Sequence, residues 1–151
     1  MLLVRYVISY NGDILIGWRL CQVILENCVT SDRDLTVSGV IRVTNVSYQK
    51  RVTVRYTTDS WTSFTDVSTL YVRNSNDGAT DRFMFIVRLP AGFGRGSGTS
   101  RLEFAIEYIA GDEIFWDSNG GSNYGVDCMV IPVSPRRVHT ESSGSEGEFI
   151  I

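Results

Sequence analysis

The stretch from Trp116 to Tyr124 concentrates side chains that could bind a ligand. It reads Trp-Asp-Ser-Asn-Gly-Gly-Ser-Asn-Tyr and carries two aromatic rings, two amides and one carboxylate. The paired glycines predict a loop rather than a strand interior. An exposed indole offers a flat apolar face on which the C–H-rich face of a glucose ring can stack, and amides both donate and accept hydrogen bonds, as sugar hydroxyls do. With no nucleophile–base pair close by, the loop is typical of a site that holds a sugar without cutting it.

Two tryptophans are the aromatic walls that this hypothesis requires. Phe115 and Trp116 end a strand-like run, so alternation points one toward the core and the other outward. Trp61 lies in a Ser/Thr/Asp-rich segment, and an exposed aromatic among polar groups favours a second wall of the same site. The candidate carbohydrate-binding residues are Trp61, Trp116, Asp117, Asn119, Asn123 and Tyr124.

Each candidate also has a purely structural interpretation. Trp116 could belong to the core, and Trp61 could anchor its loop on the edge of the fold. Asn119 precedes a glycine, and Asn tolerates positive φ, so its amide could serve only to shape the turn. Asp117 could cap the loop through the backbone, and Tyr124 could be a core residue whose hydroxyl reaches the loop.

Catalytic chemistry has little support in this sequence. A glycosidase needs two carboxylates that face each other across a cleft, whereas the acids around Asp112 are typical of a solvated loop. The single histidine, His139, and the lack of a G-x-S-x-G motif exclude the usual hydrolase triads. The Gly-rich segment 92–100 leads into a strand, not into the helix that a phosphate-binding loop requires. The sequence predicts no catalytic residue, no cofactor and no metal site.

Length and charge indicate one globular domain. A chain of 151 residues is sufficient for one hydrophobic core, and a net charge of −3 argues against nucleic-acid binding. The apolar start is short and interrupted by Arg5, so we expect neither a signal peptide nor a membrane span.

Three cysteines fit no zinc pattern and indicate reduced thiols in a reducing compartment, with one disulfide in a secreted protein as the alternative. They are Cys21, Cys28 and Cys128.

Alternation of apolar and polar residues at period two dominates the chain. Clear examples are residues 51–57, 83–89 and 102–108, which are separated by turn-forming segments. About eight short strands at this spacing predict an all-β fold, an antiparallel β-sandwich. Residues 14–26 are predicted to form a helical turn that leads into a first strand ending near Val29.

Six segments resemble, in order and spacing, a carbohydrate-binding module of family 21, in the version found in glycogen-targeting regulatory subunits of protein phosphatase 1. They are Val23–Asn27, Val40–Arg55, Asp59–Val67, Asp81–Phe85, Leu102–Tyr108 and Trp116–Tyr124. The resemblance implies a carbohydrate-binding domain over residues 20–133, preceded by an N-terminal extension over 1–19. The polar segment 134–151 is predicted to be a disordered tail.

The resemblance implies an immunoglobulin-like sandwich that binds glycogen or another α-1,4-glucan in the cytoplasm, on glycogen particles. It implies the phosphatase catalytic subunit as a partner, and glycogen synthase as a further one. Tyr48 resembles the aromatic of a second sugar site in fungal starch-binding relatives, with Lys50 and Tyr71 beside it; a turn tyrosine packed on its own hairpin is the alternative. No nucleic acid or membrane partner is implied.

One departure from the family concerns the phosphatase-docking motif, a basic residue, Val or Ile, any residue, and then Phe or Trp. The segment Arg5–Ser9 ends in serine where the aromatic is required, and Arg51–Val54 lacks the aromatic as well. Docking of the catalytic subunit is therefore not supported by these residues. The competing class of function is a protein-interaction sandwich that docks other enzymes without strong sugar binding of its own.

Overall fold

The computed structural model describes residues 2–9, 21–94 and 100–132, which form ten β-strands and no helix. The strands are β1 (Leu2–Ser9), β2 (Val23–Ser31), β3 (Thr36–Thr44), β4 (Lys50–Thr57), β5 (Thr65–Ser68), β6 (Leu70–Tyr71), β7 (Thr80–Arg88), β8 (Arg101–Ala110), β9 (Glu113–Asp117) and β10 (Tyr124–Pro132).

Alternation in the sequence explains which face each strand buries. In β3, Val37, Ile41 and Val43 are fully buried, while the side chains facing the other way are partly exposed. Strand β4 buries Val52 and Val54 in the same manner. Because a pleated strand points successive side chains to opposite faces, β3 and β4 each present one apolar face to the partner sheet and one more polar face to water.

The strands form two antiparallel sheets. One has the order β1-β10-β8-β4-β5, with β9 also paired to β8, and the other has the order β2-β3-β7-β6. Strands β9 and β10 share one edge of β8, where β9 pairs with residues 106–110 and β10 with residues 101–104. Both run antiparallel to β8 and therefore lie end to end, so the residues between them must leave the line of the strand.

Aromatic rings and one buried hydroxyl join the two sheets. Phe104 on β8 lies between Phe85 on β7 and Tyr124 on β10, with ring centroids 5.7 and 5.1 Å away. Tyr108, also on β8, is fully buried and donates its hydroxyl to the carbonyl of Thr44 on β3, at 2.7 Å. Strand β8 is thus the central element of the core, and it is also the strand beside which the predicted loop begins and ends.

The structure confirms the predicted all-β antiparallel sandwich, with ten strands in the described residues instead of about eight. The predicted helical turn is wrong for residues 23–26, because these residues already belong to β2 and alternate between buried and partly buried positions. The remainder of that prediction and the predicted tail lie outside the described residues, as do residues 95–99 of the Gly-rich segment. Leu2–Ser9, assigned to an N-terminal extension, forms β1 and pairs with β10 along its whole length.

Two observations concern the membrane span and the cysteines considered above. The described part of the chain has no helix with the length and apolar character needed to cross a membrane. All three cysteines are free thiols, and burial raises the pKa of the Cys28 thiol to about 12. The Cys28 thiol is therefore held in its protonated form at neutral pH.

Gly39 on β3 provides a test of how tightly the second sheet packs. A Cβ atom at this position would lie 2.3 Å from the carbonyl oxygen of Asn27 and 2.9 Å from the ring of Phe85. We expect Gly39→Ala to lower the free energy of unfolding by about 1–3 kcal/mol, the usual cost of overpacking a core. Urea denaturation measures this change.

Ser38→Ala is the matched control, because Ser38 is the neighbouring residue of β3 and faces away from the core. We expect its denaturation midpoint to stay close to that of the unaltered protein. Equal midpoints for the two variants would contradict the close approach of Asn27 and Phe85 to Gly39.

Candidate functional site

The predicted loop occupies the gap between two strands that follow one line. Asp117, the last residue of β9, pairs with Ile106 of β8, and Tyr124, the first residue of β10, pairs with Phe104. Residues 118–123 therefore leave the sheet after the Ile106 pair and return to it at the Phe104 pair, two positions away on β8, with Ala105 facing the gap. The strand pairing fixes both ends of the loop, which restricts where its side chains can lie.

Tight turns with positive φ give the loop its shape. Asn119, Gly120, Gly121 and Asn123 have φ angles of 54°, 68°, 92° and 61°, a region that glycine and asparagine adopt most readily. The carbonyl of Ser118 accepts hydrogen bonds from the backbone N–H groups of Gly121 and Asn123, at 3.0 and 2.8 Å. The Nδ2 atom of Asn119 is directed into the loop and donates to the carbonyl of Asn123 at 2.9 Å.

The Asp117 carboxylate connects the loop to both sheets. Its Oδ1 atom accepts the backbone N–H of Asn119 at 3.1 Å, and its Oδ2 atom accepts the Tyr124 hydroxyl at 2.7 Å. The same Oδ2 atom accepts the backbone N–H of Leu25 on β2, in the opposite sheet, at 2.8 Å. Asp117, Asn119 and Tyr124 therefore support the loop from below, and Asn119 and Tyr124 are only 6% and 4% exposed.

A second strained turn presents Trp61. Ser60 and Trp61 have φ angles of 55° and 67°, which are unusual for residues with a Cβ atom. The Asp59 carboxylate holds the turn by accepting hydrogen bonds from the hydroxyls of Thr57 and Ser63, and the Thr57 hydroxyl accepts the backbone N–H of Trp61 at 3.1 Å. The hydrogen bonds from Ser63 are the main reason why the pKa of Asp59 is lowered to about 2. The turn is therefore held by a charged carboxylate at neutral pH.

These two loops enclose an open groove of about 430 Å³ on the outer face of the first sheet. Trp116 is 46% exposed, whereas its neighbour Phe115 packs on Tyr108 in the core, as alternation predicts. The residues that line the groove are Arg55, Trp61, Phe64, Ala105, Trp116, Ser118 and Asn123. Of the six predicted site residues, the structure brings Trp61, Trp116 and Asn123 into one groove and places Asp117, Asn119 and Tyr124 beneath it.

Arg55 is the main feature of the groove that the sequence did not reveal. Its guanidinium donates from Nε and Nη2 to the two oxygens of Asp66, at 2.8 and 3.0 Å. It lies 4.2 Å from the centroid of the Phe64 ring and 5.4 Å from that of Trp116. The hydrogen bonds between the partners raise the pKa of Arg55 and lower that of Asp66, so both stay charged.

Local sequence predicts which face of β4 carries Arg55, but it does not predict which residue lies beside it. Alternation in β4 points Arg55 to the same face as Arg51, away from the buried Val52 and Val54. Its position beside Ala105 follows from the pairing of β4 with β8, which no local pattern states. Arg55 could not be assigned to the groove of Trp61 and Trp116 before that register was known.

The other predicted residues meet in a second pocket, of about 420 Å³. Tyr48, Lys50 and Tyr71 line it together with Asn45, Asn76, Asp81 and Phe83. The Nζ atom of Lys50 lies 3.2 Å from Oδ2 of Asp81, and both side chains are buried. The Tyr71 hydroxyl and the Asn76 amide donate to the other oxygen of Asp81, at 3.3 and 2.8 Å.

Tyr48 differs from the buried residues of that pocket in its exposure to solvent. It is 97% exposed, whereas Lys50 and Asp81 are fixed by burial and by each other. The alternative of a turn tyrosine packed on its own hairpin does not agree with this exposure. Tyr48 instead stands at the rim of a pocket whose polar floor is already formed.

The described residues show an arrangement suited to binding. No carboxylate is among the side chains that line the Trp61–Trp116 groove, since Asp66 lies behind Arg55. No group of three His, Cys, Asp or Glu residues that could hold a metal ion occurs in ranges 21–94 and 100–128. Aromatic faces beside amide and guanidinium donors are the features expected of a site for a neutral polyhydroxyl ligand.

Comparison with known proteins identifies the family. The profile of the carbohydrate/starch-binding module (family 21) matches residues 19–127. The chain is 35% identical over 129 residues to protein phosphatase 1 regulatory subunit 3C of Bos taurus, covering 85% of this chain and 38% of that protein. It is 39% identical over 121 residues to glycogen-binding subunit 76A of Drosophila melanogaster, covering 79% of this chain and 16% of that protein.

A solved structure shows the same architecture. The carbohydrate-binding module of the muscle glycogen-targeting subunit of protein phosphatase-1 superimposes with a TM-score of 0.67 at 31% identity, covering 85% of this chain and 96% of that one. The chain spans less than half the length of the two curated relatives named above. Sequence match and fold agree, and the chain belongs to the family 21 carbohydrate/starch-binding modules.

Proposed function

We propose that the chain is a non-catalytic module that binds glycogen or a similar α-1,4-glucan, with the Trp61–Trp116 groove as its main site. The observation that carries the proposal is the half-exposed indole of Trp116, which lines an open groove together with Trp61 and Asn123. A glucose ring stacks on the indole through its C–H face. Its hydroxyls exchange hydrogen bonds with the amide, which both donates and accepts.

The six candidate residues divide into two roles in this proposal. Trp61, Trp116 and Asn123 contact the sugar. Asp117, Asn119 and Tyr124 act by shape, since their polar atoms already bond to one another, to the loop and to β2. Trp61, Trp116 and Asn123 thus have the role of ligand contacts, and Asp117, Asn119 and Tyr124 have a purely structural role.

The pocket formed by Tyr48, Lys50 and Tyr71 is proposed as a second sugar site. Its exposed tyrosine can stack on a glucose ring while the buried floor supplies polar contacts. One stacked ring contributes about 1–3 kcal/mol by analogy with bases stacked on aromatic side chains, so each site alone is weak. Retention on a polysaccharide then comes from the many chain ends of the ligand and from two sites acting together.

Recruitment of partners is part of the proposal. The relatives named above include phosphatase regulatory subunits and a glycogen-binding subunit, which supports a role in bringing protein phosphatase 1 to glycogen in the cytoplasm. The two curated relatives are much longer than this chain, and the segments Arg5–Ser9 and Arg51–Val54 do not match the docking motif. Glycogen synthase is proposed as a second protein that the module helps to position.

The first prediction tests the class of protein. The purified domain should co-sediment with glycogen or amylose and should release no reducing sugar from either. Binding to maltoheptaose alone should be weak, in keeping with one or two stacked rings. Absence of binding to any α-glucan at millimolar maltoheptaose would refute the proposal, and release of reducing sugar would show an enzyme instead.

The next prediction concerns Trp116. Trp116→Ala should abolish retention on glycogen while leaving the unfolding temperature nearly unchanged, because a half-exposed indole contributes little to the core. Ile114→Ala is the matched control, since Ile114 lies on the same face of β9 and is 59% exposed but does not line the groove. Isothermal titration with maltoheptaose compares the two variants.

Two results would decide against this role of Trp116. One is a collapse of thermal stability with unchanged affinity in the folded fraction, which would make Trp116 a structural residue. The other is an equal loss of retention in Ile114→Ala. Tyr48→Ala, measured in the same series, reports the share of retention that depends on the second pocket.

A further prediction separates the two asparagines. Asn123→Asp keeps a residue that tolerates positive φ but removes the amide donors that face the groove, which should reduce affinity roughly tenfold, or about 1–3 kcal/mol for a lost buried hydrogen bond. Asn119→Asp instead places a carboxylate against the carbonyl of Asn123. We therefore expect Asn119→Asp to lower the unfolding temperature as well as the affinity.

Asn123→Gly is the control for backbone conformation, since glycine adopts the same φ without an amide. It should lose affinity as Asn123→Asp does. Unchanged maltoheptaose affinity in both Asn123 variants would show that this amide serves only the turn.

A further inference from the structure

Arg55 combines three properties that its neighbours on the same sheet face do not share. It lines the groove, it lies over two aromatic rings, and its orientation is fixed by two hydrogen bonds to Asp66. A guanidinium carries five N–H donors in one plane. Two of them bond to Asp66, and the other three make no hydrogen bond to any residue within ranges 21–94 and 100–128.

The surroundings of Arg55 keep its position fixed before a ligand arrives. The Cζ atom of Arg55 lies 4.2 Å from the centroid of the Phe64 ring and 5.4 Å from that of the Trp116 ring, and both distances are within the range of cation–π attraction. Glu107, on the neighbouring strand β8, adds to the electrostatic stabilisation of the cation. A donor that is already oriented loses little conformational entropy on binding, which favours affinity.

The charge balance of this cluster favours a neutral ligand. Asp66 is paired with Arg55, and Glu107 and Arg51 add one charge of each sign close by, so that two cations and two carboxylates balance. An anionic ligand would compete with Asp66 for the guanidinium and would be repelled by both carboxylates. Hydroxyl oxygens can accept the remaining N–H groups without displacing Asp66.

We infer that Arg55 is a ligand-contacting residue of the groove, whose unused guanidinium N–H groups donate to hydroxyl oxygens of a glucose unit stacked on Trp116. Asp66 and Phe64 are positioning residues that hold the guanidinium at the height of the bound ring. The planar fork suits two adjacent hydroxyls of one sugar, which a lysine ammonium cannot match in geometry. This inference rests on the proposed function and adds a specificity-determining donor to it.

The experiment is an isothermal titration of the intact protein and of three variants with maltoheptaose. Arg55→Met keeps a long apolar stem but removes every donor, and Arg55→Lys keeps the charge but removes the fork. We expect affinity to fall about tenfold in Arg55→Met, as for the loss of a hydrogen bond to a charged donor. Arg55→Lys should fall severalfold.

Arg51→Met is the matched control, because Arg51 lies on the same face of β4 and is exposed but does not line the groove. Its affinity should equal that of the unaltered protein. Near-ultraviolet circular dichroism and thermal unfolding of Arg55→Met report whether Trp116 and the fold are undisturbed, and both should match the unaltered protein.

Each contrary result has a distinct meaning. Unaltered affinity in Arg55→Met or in Arg55→Lys overturns the inference, and so does an equal loss in Arg51→Met. A loss of affinity in Arg55→Met that comes with a changed aromatic spectrum also overturns it, because Arg55 would then act only by positioning Trp116. If the intact protein itself does not bind maltoheptaose, the proposed function fails.

Discussion

The Asp117 carboxylate is the constraint on which the shape of the groove depends. Its two oxygens accept hydrogen bonds from Leu25 on β2, from Tyr124 on β10 and from Asn119 in the loop. One side chain therefore joins both sheets and the loop that carries Asn123. Because an ionised carboxylate accepts hydrogen bonds at both oxygens and donates none, neither serine nor asparagine could satisfy the same three donors equally well. Trp116 precedes this residue on β9 and points to the opposite face, so the anchor of the loop also orients the exposed indole.

Strand pairing then decides what lies beneath the indole. The gap between β9 and β10 faces Ala105, and Ala105 pairs with Arg55 across the β4–β8 ladder. A small side chain at this position leaves space for a groove, and the arginine beside it supplies polar donors at the groove wall. The walls come from turns that two carboxylates hold, Asp59 beneath Trp61 and Asp117 beneath the 118–123 loop. The paired strands thus fix how far apart the two walls of the groove lie, and the strained turns fix the direction in which the side chains of those walls point.

Sequence alone was sufficient for features that depend on local pattern. Alternation predicts the strands and places Phe115 and Trp116 on opposite faces. The polar loops and the family resemblance favour Trp116 as the exposed residue and Trp61 as a second wall of the same site. Local sequence leaves open whether Tyr124 is buried and whether the Asn119 amide points inward, because a tyrosine or an asparagine beside glycines has the same local pattern in either role. Arg55 was not found because its importance arises from register between strands distant in sequence. The helical turn predicted over 14–26 fails at residues 23–26, where pairing with β3 across a bulge determines the conformation.

The two pockets differ in how much of each is ordered before a ligand binds. In the groove, Arg55 packs against Trp116 and Phe64 and is fixed by Asp66, so the stacking surface and the donor are held together. In the second pocket the floor is fixed by the buried Lys50–Asp81 pair, but the ring of Tyr48 is almost fully exposed. A side chain that must be immobilised on binding costs about 0.5–1.5 kcal/mol. Equal stacking surfaces would therefore give unequal affinities, with the groove as the stronger site and Tyr48 as a second contact that becomes effective once the polysaccharide is already held nearby.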